Sequence, residues 1–155
     1  RCPGLKQFLT SYLRTISGDL FMEVSRRRNV NGVTSMSANR VPMEQILGAD
    51  VCEVPADDDK KFGGHRGCSV RALLGAAKSG TAVFTAGDGM VTEPIEFATL
   101  LQGILIHSDA DGKPLEHGGP LRLWFPPACG LRCAKGNPLA VKDVRSMELT
   151  VSSST

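Results

Sequence analysis

The sequence predicts an α+β fold with a mixed sheet, organised as one domain over residues 1–151. Two observations lead to this prediction. Short segments with strand-like alternation are interspersed with short amphipathic segments, and these elements follow no regular β-α-β period. A chain of 155 residues is also long enough to bury a core of its own. Residues 152–155 are predicted to be a disordered tail.

The first predicted element is an amphipathic helix over residues 1–19, which Ser17 and Gly18 end. Its apolar residues recur at intervals of three and four, which places them on one helical face. They are Leu5, Phe8, Leu9, Tyr12, Leu13 and Ile16. A second short helix is predicted over 42–47, with Pro42 at its first position, and a third over 69–77, with Ser69 as its N-cap.

Strands are predicted where β-branched and apolar residues alternate between turn residues. The predicted strands are 20–24, 33–36, 51–54, 81–85, 100–107, 121–125 and 144–151. A turn at 29–32 joins the first two of these strands. Residues 56–61 are predicted to be a solvated connecting loop because they are charged.

Charge and composition restrict the partners that we expect. The net charge of +2 gives no reason to expect nucleic acid or an anionic membrane as a partner. No stretch approaches the roughly 18 apolar residues of a membrane-spanning helix. Five cysteines at scattered spacings exclude a complete disulfide framework and favour a reducing, cytoplasmic compartment. Because the sequence starts at Arg1, we expect either a processed N-terminus or a piece of a longer chain.

The stretch 112–126, followed by 141–144, carries a family resemblance. It reads Gly-Lys-Pro-Leu-Glu-His-Gly-Gly-Pro-Leu-Arg-Leu-Trp-Phe-Pro and then Val-Lys-Asp-Val. Together with 67–74 and the turn Asp88-Gly89, it resembles the C-terminal half of the molybdopterin-binding domain of the sulfite oxidase superfamily. The resemblance implies that fold, with the molybdenum cofactor as the ligand of its full-length enzymes.

The sequence departs from the family pattern in three places. Residues 129–138 form an insertion where the family has a short connection, and Asp143 stands where an aromatic residue usually follows the lysine. The upstream half is also short and leaves little room for the basic and polar residues that hold the pterin phosphate in the enzymes. We therefore expect a small, divergent form of this fold.

The resemblance also implies site residues. Cys52 is the candidate thiolate ligand of molybdenum, because a soft sulfur donor suits that metal, although a partly buried structural thiol is the alternative. His117, Arg122 and Lys142 are the candidate cofactor-binding residues, placed to contact a phosphate or another oxyanion. Arg122 is alternatively a lock on backbone carbonyls, and Lys142 an ordinary surface lysine.

Three functional hypotheses follow. The first is a binding or structural module that has kept the fold without metal chemistry, binds no cofactor, and takes an anionic ligand or a protein partner. The alternative is a molybdopterin-dependent oxidoreductase that transfers an oxygen atom, with Cys52 as the metal ligand. A third interpretation is a redox-responsive protein that uses Cys129 and Cys133.

Overall fold

A computed structural model describes residues 21–49, 51–57, 61–75, 77–115, 117, 119–131, 139 and 141–151. The predicted helix over 1–19, the tail at 152–155 and Cys133 lie outside the described residues. The strands within these ranges are β1 (Phe21–Val30), β2 (Val33–Pro42), β3 (Val51–Glu53), β4 (Arg66–Ser69), β5 (Gly80–Ala86), β6 (Ile95–Glu96), β7 (Ile104–Ser108), β8 (Arg122–Trp124) and β9 (Val144–Val151). The helices are α1 (Met43–Gly48), α2 (Phe97–Leu100) and two 3-10 helices, Val70–Leu73 and Pro127–Cys129.

The strands form two sheets. One has five strands in the order β2-β1-β9-β5-β6, and the other has four strands in the order β3-β4-β7-β8. Strand β9 runs parallel to β1, whereas the other pairs of described strands are antiparallel. This architecture confirms the predicted α+β class.

Side chains from both sheets meet in one main hydrophobic core. The five-stranded sheet contributes Phe84 and Met147, and the four-stranded sheet contributes Leu105 and Leu123, all at most 1% exposed. Helix α1 adds Met43, Ile46 and Leu47. Burying these apolar side chains is the main force that holds the two sheets together.

The opposite face of the four-stranded sheet carries a second, smaller apolar cluster of Val54, Ile104, Ile106 and Trp124. Cys52, Phe62 and Leu115 pack against this cluster. The register aligns Cys52 with Gly67, Gly67 with Ile106, and Ile106 with Arg122. Because directly opposed residues project to the same face, this row places Arg122 on the side of the small cluster.

Several predicted elements differ from the observed ones. The predicted helix over 69–77 is only the 3-10 helix Val70–Leu73, because the chain turns at Gly75 with a φ of 62°. The predicted Ser69 cap is present, since its hydroxyl accepts a hydrogen bond from the Arg71 amide at 3.3 Å. The predicted strand over 100–107 starts only at Ile104, after α2 and a turn closed by a hydrogen bond from the Gly103 amide to the Leu100 carbonyl at 3.1 Å.

The first hairpin is much longer than predicted, because β1 and β2 each run for ten residues. Most of β2 is exposed on both faces, so its residues show no apolar alternation that would predict a strand. None of the described helices is both long and apolar enough to cross a membrane.

Candidate functional site

A cavity of about 600 Å³ lies over the face of the four-stranded sheet that carries the small apolar cluster. Its described lining residues come from three loops and from strand β8. They are Lys61, Phe62, His65, Asp109, Leu115, His117, Arg122 and Lys142. The cavity therefore collects side chains that are up to 81 positions apart in the sequence.

Arg122 is the most buried charged residue of this lining, at 5% exposure. It stands on β8 opposite Ile106, and its guanidinium carbon lies 4.6 Å from the centroid of the Phe62 ring. A cation over an aromatic face is attracted by the negative potential of the ring. Arg122 therefore places a largely buried positive charge in the wall of the cavity.

The loop that carries Phe62 and His65 is held against the end of β3. The Gly64 amide donates to the Val54 carbonyl at 2.8 Å, and the Val54 amide donates to the His65 carbonyl at 2.9 Å. The two rings meet edge to face, with centroids 5.4 Å apart and an interplanar angle of 87°. Nδ1 of His65 is buried and has no hydrogen-bond partner among the described residues. Lys61 adds a second cation, with Nζ 5.3 Å from the Phe62 centroid.

Asp109 is the acidic residue of the described lining, and its carboxylate organises its own loop. Oδ1 accepts hydrogen bonds from the amides of Asp111 and Lys113, both at 2.9 Å. The Asp109 amide also donates to the Lys113 carbonyl at 2.8 Å. This turn starts the segment that carries Leu115 and His117 to the cavity.

Lys142 is placed beside β8 by backbone hydrogen bonds on both sides of it. The Leu123 amide donates to the Val141 carbonyl, and the Val144 amide donates to the Leu121 carbonyl, both at 2.9 Å. The lysine side chain itself is exposed. These bonds fix its backbone next to Arg122, so the two cations lie on the same side of the molecule.

Asp143, which follows Lys142, is bonded to Arg145. Its carboxylate accepts hydrogen bonds from Nε and Nη2 of Arg145 at 2.8 and 3.1 Å. These hydrogen bonds raise the pKa of the Arg145 guanidinium. The carboxylate of Asp143 is thus hydrogen-bonded to Arg145.

The charges of the lining favour an anion. Among the described lining residues, the three cations Lys61, Arg122 and Lys142 stand against the single carboxylate of Asp109. Arginine and lysine donors can bind a phosphate or a carboxylate.

The structure brings the three predicted cofactor-binding residues, His117, Arg122 and Lys142, to the same cavity. Their binding role stays a prediction. The sequence reasoning missed Lys61 and Phe62, as well as His65, Asp109 and Leu115. Lys61 belongs to the segment 56–61, for which the sequence predicts only a solvated loop. A loop residue carries no periodic signal that would reveal its neighbours in space.

Cys52 is on the same face of the sheet but is not among the lining residues of the cavity. It stands on the edge strand β3, half-buried, and its thiol donates to the Gly67 carbonyl at 3.6 Å. The aligned row puts three strand spacings, about 14 Å, between the backbones of Cys52 and Arg122. Its proposed role as a metal ligand stays a prediction.

Cys129 lies in the second 3-10 helix and is half-buried. Burial raises the pKa of its thiol, which lowers the fraction of reactive thiolate at neutral pH. The predicted redox pair with Cys133 includes a residue outside the described ranges and stays a prediction.

Comparisons with known proteins do not assign a family, since neither a scan against family models nor a search of curated proteins finds a match for this chain.

Proposed function

We propose that this protein is a binding module that takes a small anionic ligand in the cavity formed by His117, Arg122 and Lys142. The single observation that supports this proposal most strongly is the burial of Arg122 in the wall of a cavity of about 600 Å³, whose described charged residues are mostly cations. A cavity of this size falls within the range of about 300 to 1,000 Å³ that holds small molecules and cofactors.

Each side of the cavity has a separate role in this proposal. Arg122 supplies a buried positive charge in a poorly solvated position, where attraction to an oxyanion is strong. Lys61 and Lys142 are exposed at the rim, so they attract the anion and make its binding sensitive to salt. Phe62 and Leu115 provide apolar surface for the uncharged part of the ligand.

The molybdenum cofactor named by the family resemblance is one anionic ligand of this kind. When it is bound, it supplies oxygen-atom transfer at its metal. The cationic lining suits the phosphate end of such a molecule. Among the described residues, however, no cysteine lines the cavity, so the metal end of the cofactor lacks a thiolate ligand there and does not fit. The oxidoreductase with Cys52 as its metal ligand is the alternative proposal.

A phosphate titration of the full chain tests the binding proposal. We expect inorganic phosphate and pyrophosphate to bind, with an affinity that falls as salt rises, in isothermal titration calorimetry. Arg122→Gln should weaken binding at least about tenfold, because a charged, buried donor pair is lost. Arg71→Gln is the matched control, since Arg71 is exposed and does not line the cavity. Equal affinities for the wild type and both variants would contradict the proposal.

The alternative has its own test. The protein is produced in a host that makes the cofactor, and its molybdenum and pterin contents are measured. If the oxidoreductase proposal holds, molybdenum is near-stoichiometric and is lost in Cys52→Ser but retained in Cys68→Ser. Cys68 is a suitable control because it is buried in the main core on the opposite face of the sheet. Equal metal content in the wild type and Cys52→Ser would exclude Cys52 as the ligand.

A further inference from the structure

We propose that the outer edge of β2 binds an extended acidic segment of a partner protein, which adds to the five-stranded sheet as a further strand. This inference is independent of the cavity, because β2 belongs to the other sheet. It depends on the length of the edge, its backbone register and its charge.

Among the described strands, β2 is the terminal strand of its sheet, and it pairs with β1 over all ten of its residues. Terminal strands expose a row of unpaired amides and carbonyls, and proteins usually shorten them, bulge them or add lysine and proline to prevent pairing. Within the described part of the chain, β2 shows little of this protection, since Arg40 is its one charged side chain. Its register with β1 has no bulge, it contains no lysine, and its proline, Pro42, is the last residue.

The register of β2 with β1 identifies the backbone groups of β2 that point away from β1, toward its outer edge. The hairpin closes through Asn31 and Gly32, whose φ angles of 53° and 78° fit a two-residue type I′ turn. Such a turn makes Val30 and Val33 a hydrogen-bonded pair, and antiparallel pairs then alternate along the hairpin. The outward-pointing amides and carbonyls therefore belong to Thr34, Met36, Ala38 and Arg40.

Side chains along this edge are suited to an extended partner. Val33 is 68% exposed and Met36 is 59% exposed, so apolar surface is available next to the free backbone groups. Strand addition uses this combination, in which the backbone supplies affinity and alternate side chains supply specificity.

Charge indicates which partner binds there. The hairpin from Phe21 to Pro42 carries four arginines against one glutamate, a net charge of +3. The Arg27 to Glu148 pair is long, at 3.9 Å, and both side chains are about half exposed, so it neutralises little of this charge. A second copy of the same hairpin would be repelled, whereas an acidic segment would be attracted.

The test uses the full chain and two labelled octapeptides, one alternating glutamate with valine and one alternating lysine with valine. We expect fluorescence anisotropy to show binding of the acidic peptide but not the basic one. Bound peptide should also protect the amides of Thr34, Met36 and Ala38 from hydrogen exchange. Binding without this protection would overturn strand addition, and self-association in place of peptide binding would overturn the choice of partner.

Two sets of variants distinguish the contribution of backbone pairing to peptide binding from the contribution of charge. Ala38→Pro removes one outward amide at a position that tolerates proline, so affinity should fall about tenfold, whereas Ala38→Thr should bind normally. Replacing both Arg27 and Arg28 with glutamate should transfer binding from the acidic to the basic peptide. If Ala38→Pro is folded and binds the acidic peptide as tightly as the wild type, the edge of β2 is not the site.

Discussion

The two faces of the four-stranded sheet are built from the same strands and yet differ in chemistry. On the face toward the main core, Leu105 stands opposite Leu123, and both are almost fully buried. One position along on each strand, Ile106 stands opposite Arg122 beneath the cavity loops. Alternation along a strand thus separates a face that holds the fold together from a face that carries a fixed charge. We therefore expect substitutions at two neighbouring residues of one strand to differ in effect: one should reduce stability alone, and the other should also weaken ligand binding.

The largest expected effect comes from Gly67, which lies in the row that joins the strands of this sheet. A Cβ at this position would lie 2.4 Å from the Leu105 carbonyl oxygen and 2.6 Å from Cγ2 of Ile104. Because the obstacle includes backbone, Gly67→Ala should push β4 away from β7 and reduce the free energy of unfolding by more than about 4 kcal/mol. Urea denaturation measures this change. Gly48→Ala, which meets no atom within 4 Å, should change it by less than about 1 kcal/mol.

Truncating one residue on each face sharpens the comparison. Leu105→Ala should cost about 4 kcal/mol of stability, because two packed sheets cannot collapse into the space that it leaves. Ile106→Ala should cost about 2 to 3 kcal/mol, since loops cover that face and can adjust. Only the Ile106 variant should also weaken phosphate binding, because it supports Arg122. Loss of phosphate affinity in both variants to the same extent would show that the faces are not separate in function.

The third prediction concerns pH and His107, which follows Ile106 on β7 and is fully buried. Its Nδ1 lies 2.7 Å from the Ser108 hydroxyl. Burial, helped by the charge of Arg66, lowers the pKa of His107 to about 4. Below pH 6.5, the ordinary pKa of histidine, His107 takes up a proton in the unfolded chain but stays neutral in the folded chain. The free energy of unfolding should therefore fall by roughly 3 kcal/mol between pH 6.5 and pH 4.

Urea denaturation between pH 7.5 and 4 measures this loss. His107→Gln should flatten the dependence of the free energy of unfolding on pH. If the free energy of unfolding of His107→Gln falls with pH as steeply as that of the wild type, groups other than His107 cause the acid sensitivity.

The smallest expected effect is that of Lys142→Gln. Because this lysine is exposed, the variant should weaken phosphate binding only about two- to fivefold and leave stability unchanged. The difference from the wild type should disappear at high salt, in calorimetric titrations at two ionic strengths. An effect as large as that of Arg122→Gln, or one that persists at high salt, would mean that Lys142 contacts the anion directly in a dry environment.

The elements that the sequence predicted best are those with one buried and one exposed face. The predicted bounds of strand β9 are the observed ones, because the buried Met147 and Leu149 alternate with the exposed Glu148 and Thr150. Most of β2 escaped prediction because both its faces are exposed, so its residues carry no alternation. The helix predicted over 69–77 is longer than the observed 3-10 helix Val70–Leu73. Buried residues at helical spacing also fit a 3-10 helix that is followed by a turn.

The candidate site shows the same division. His117, Arg122 and Lys142 are predicted because they lie in the stretches 112–126 and 141–144, which carry the family resemblance. Phe62 and His65 approach them only through the folding of the sheet, by contacts across more than 50 residues of sequence. Such contacts depend on strand register, which single-sequence patterns do not specify.

The position of β9 has a consequence for synthesis of the protein. This strand is the last of the described strands to leave the ribosome, and yet it lies in the middle of its sheet, between β1 and β5. The β1–β2 hairpin and strand β5 therefore have no common partner until translation reaches Val144. Contacts of such long sequence separation form slowly. We expect the five-stranded sheet to assemble late, so that a chain stopped before Val144 would present two incomplete edges to chaperones and proteases.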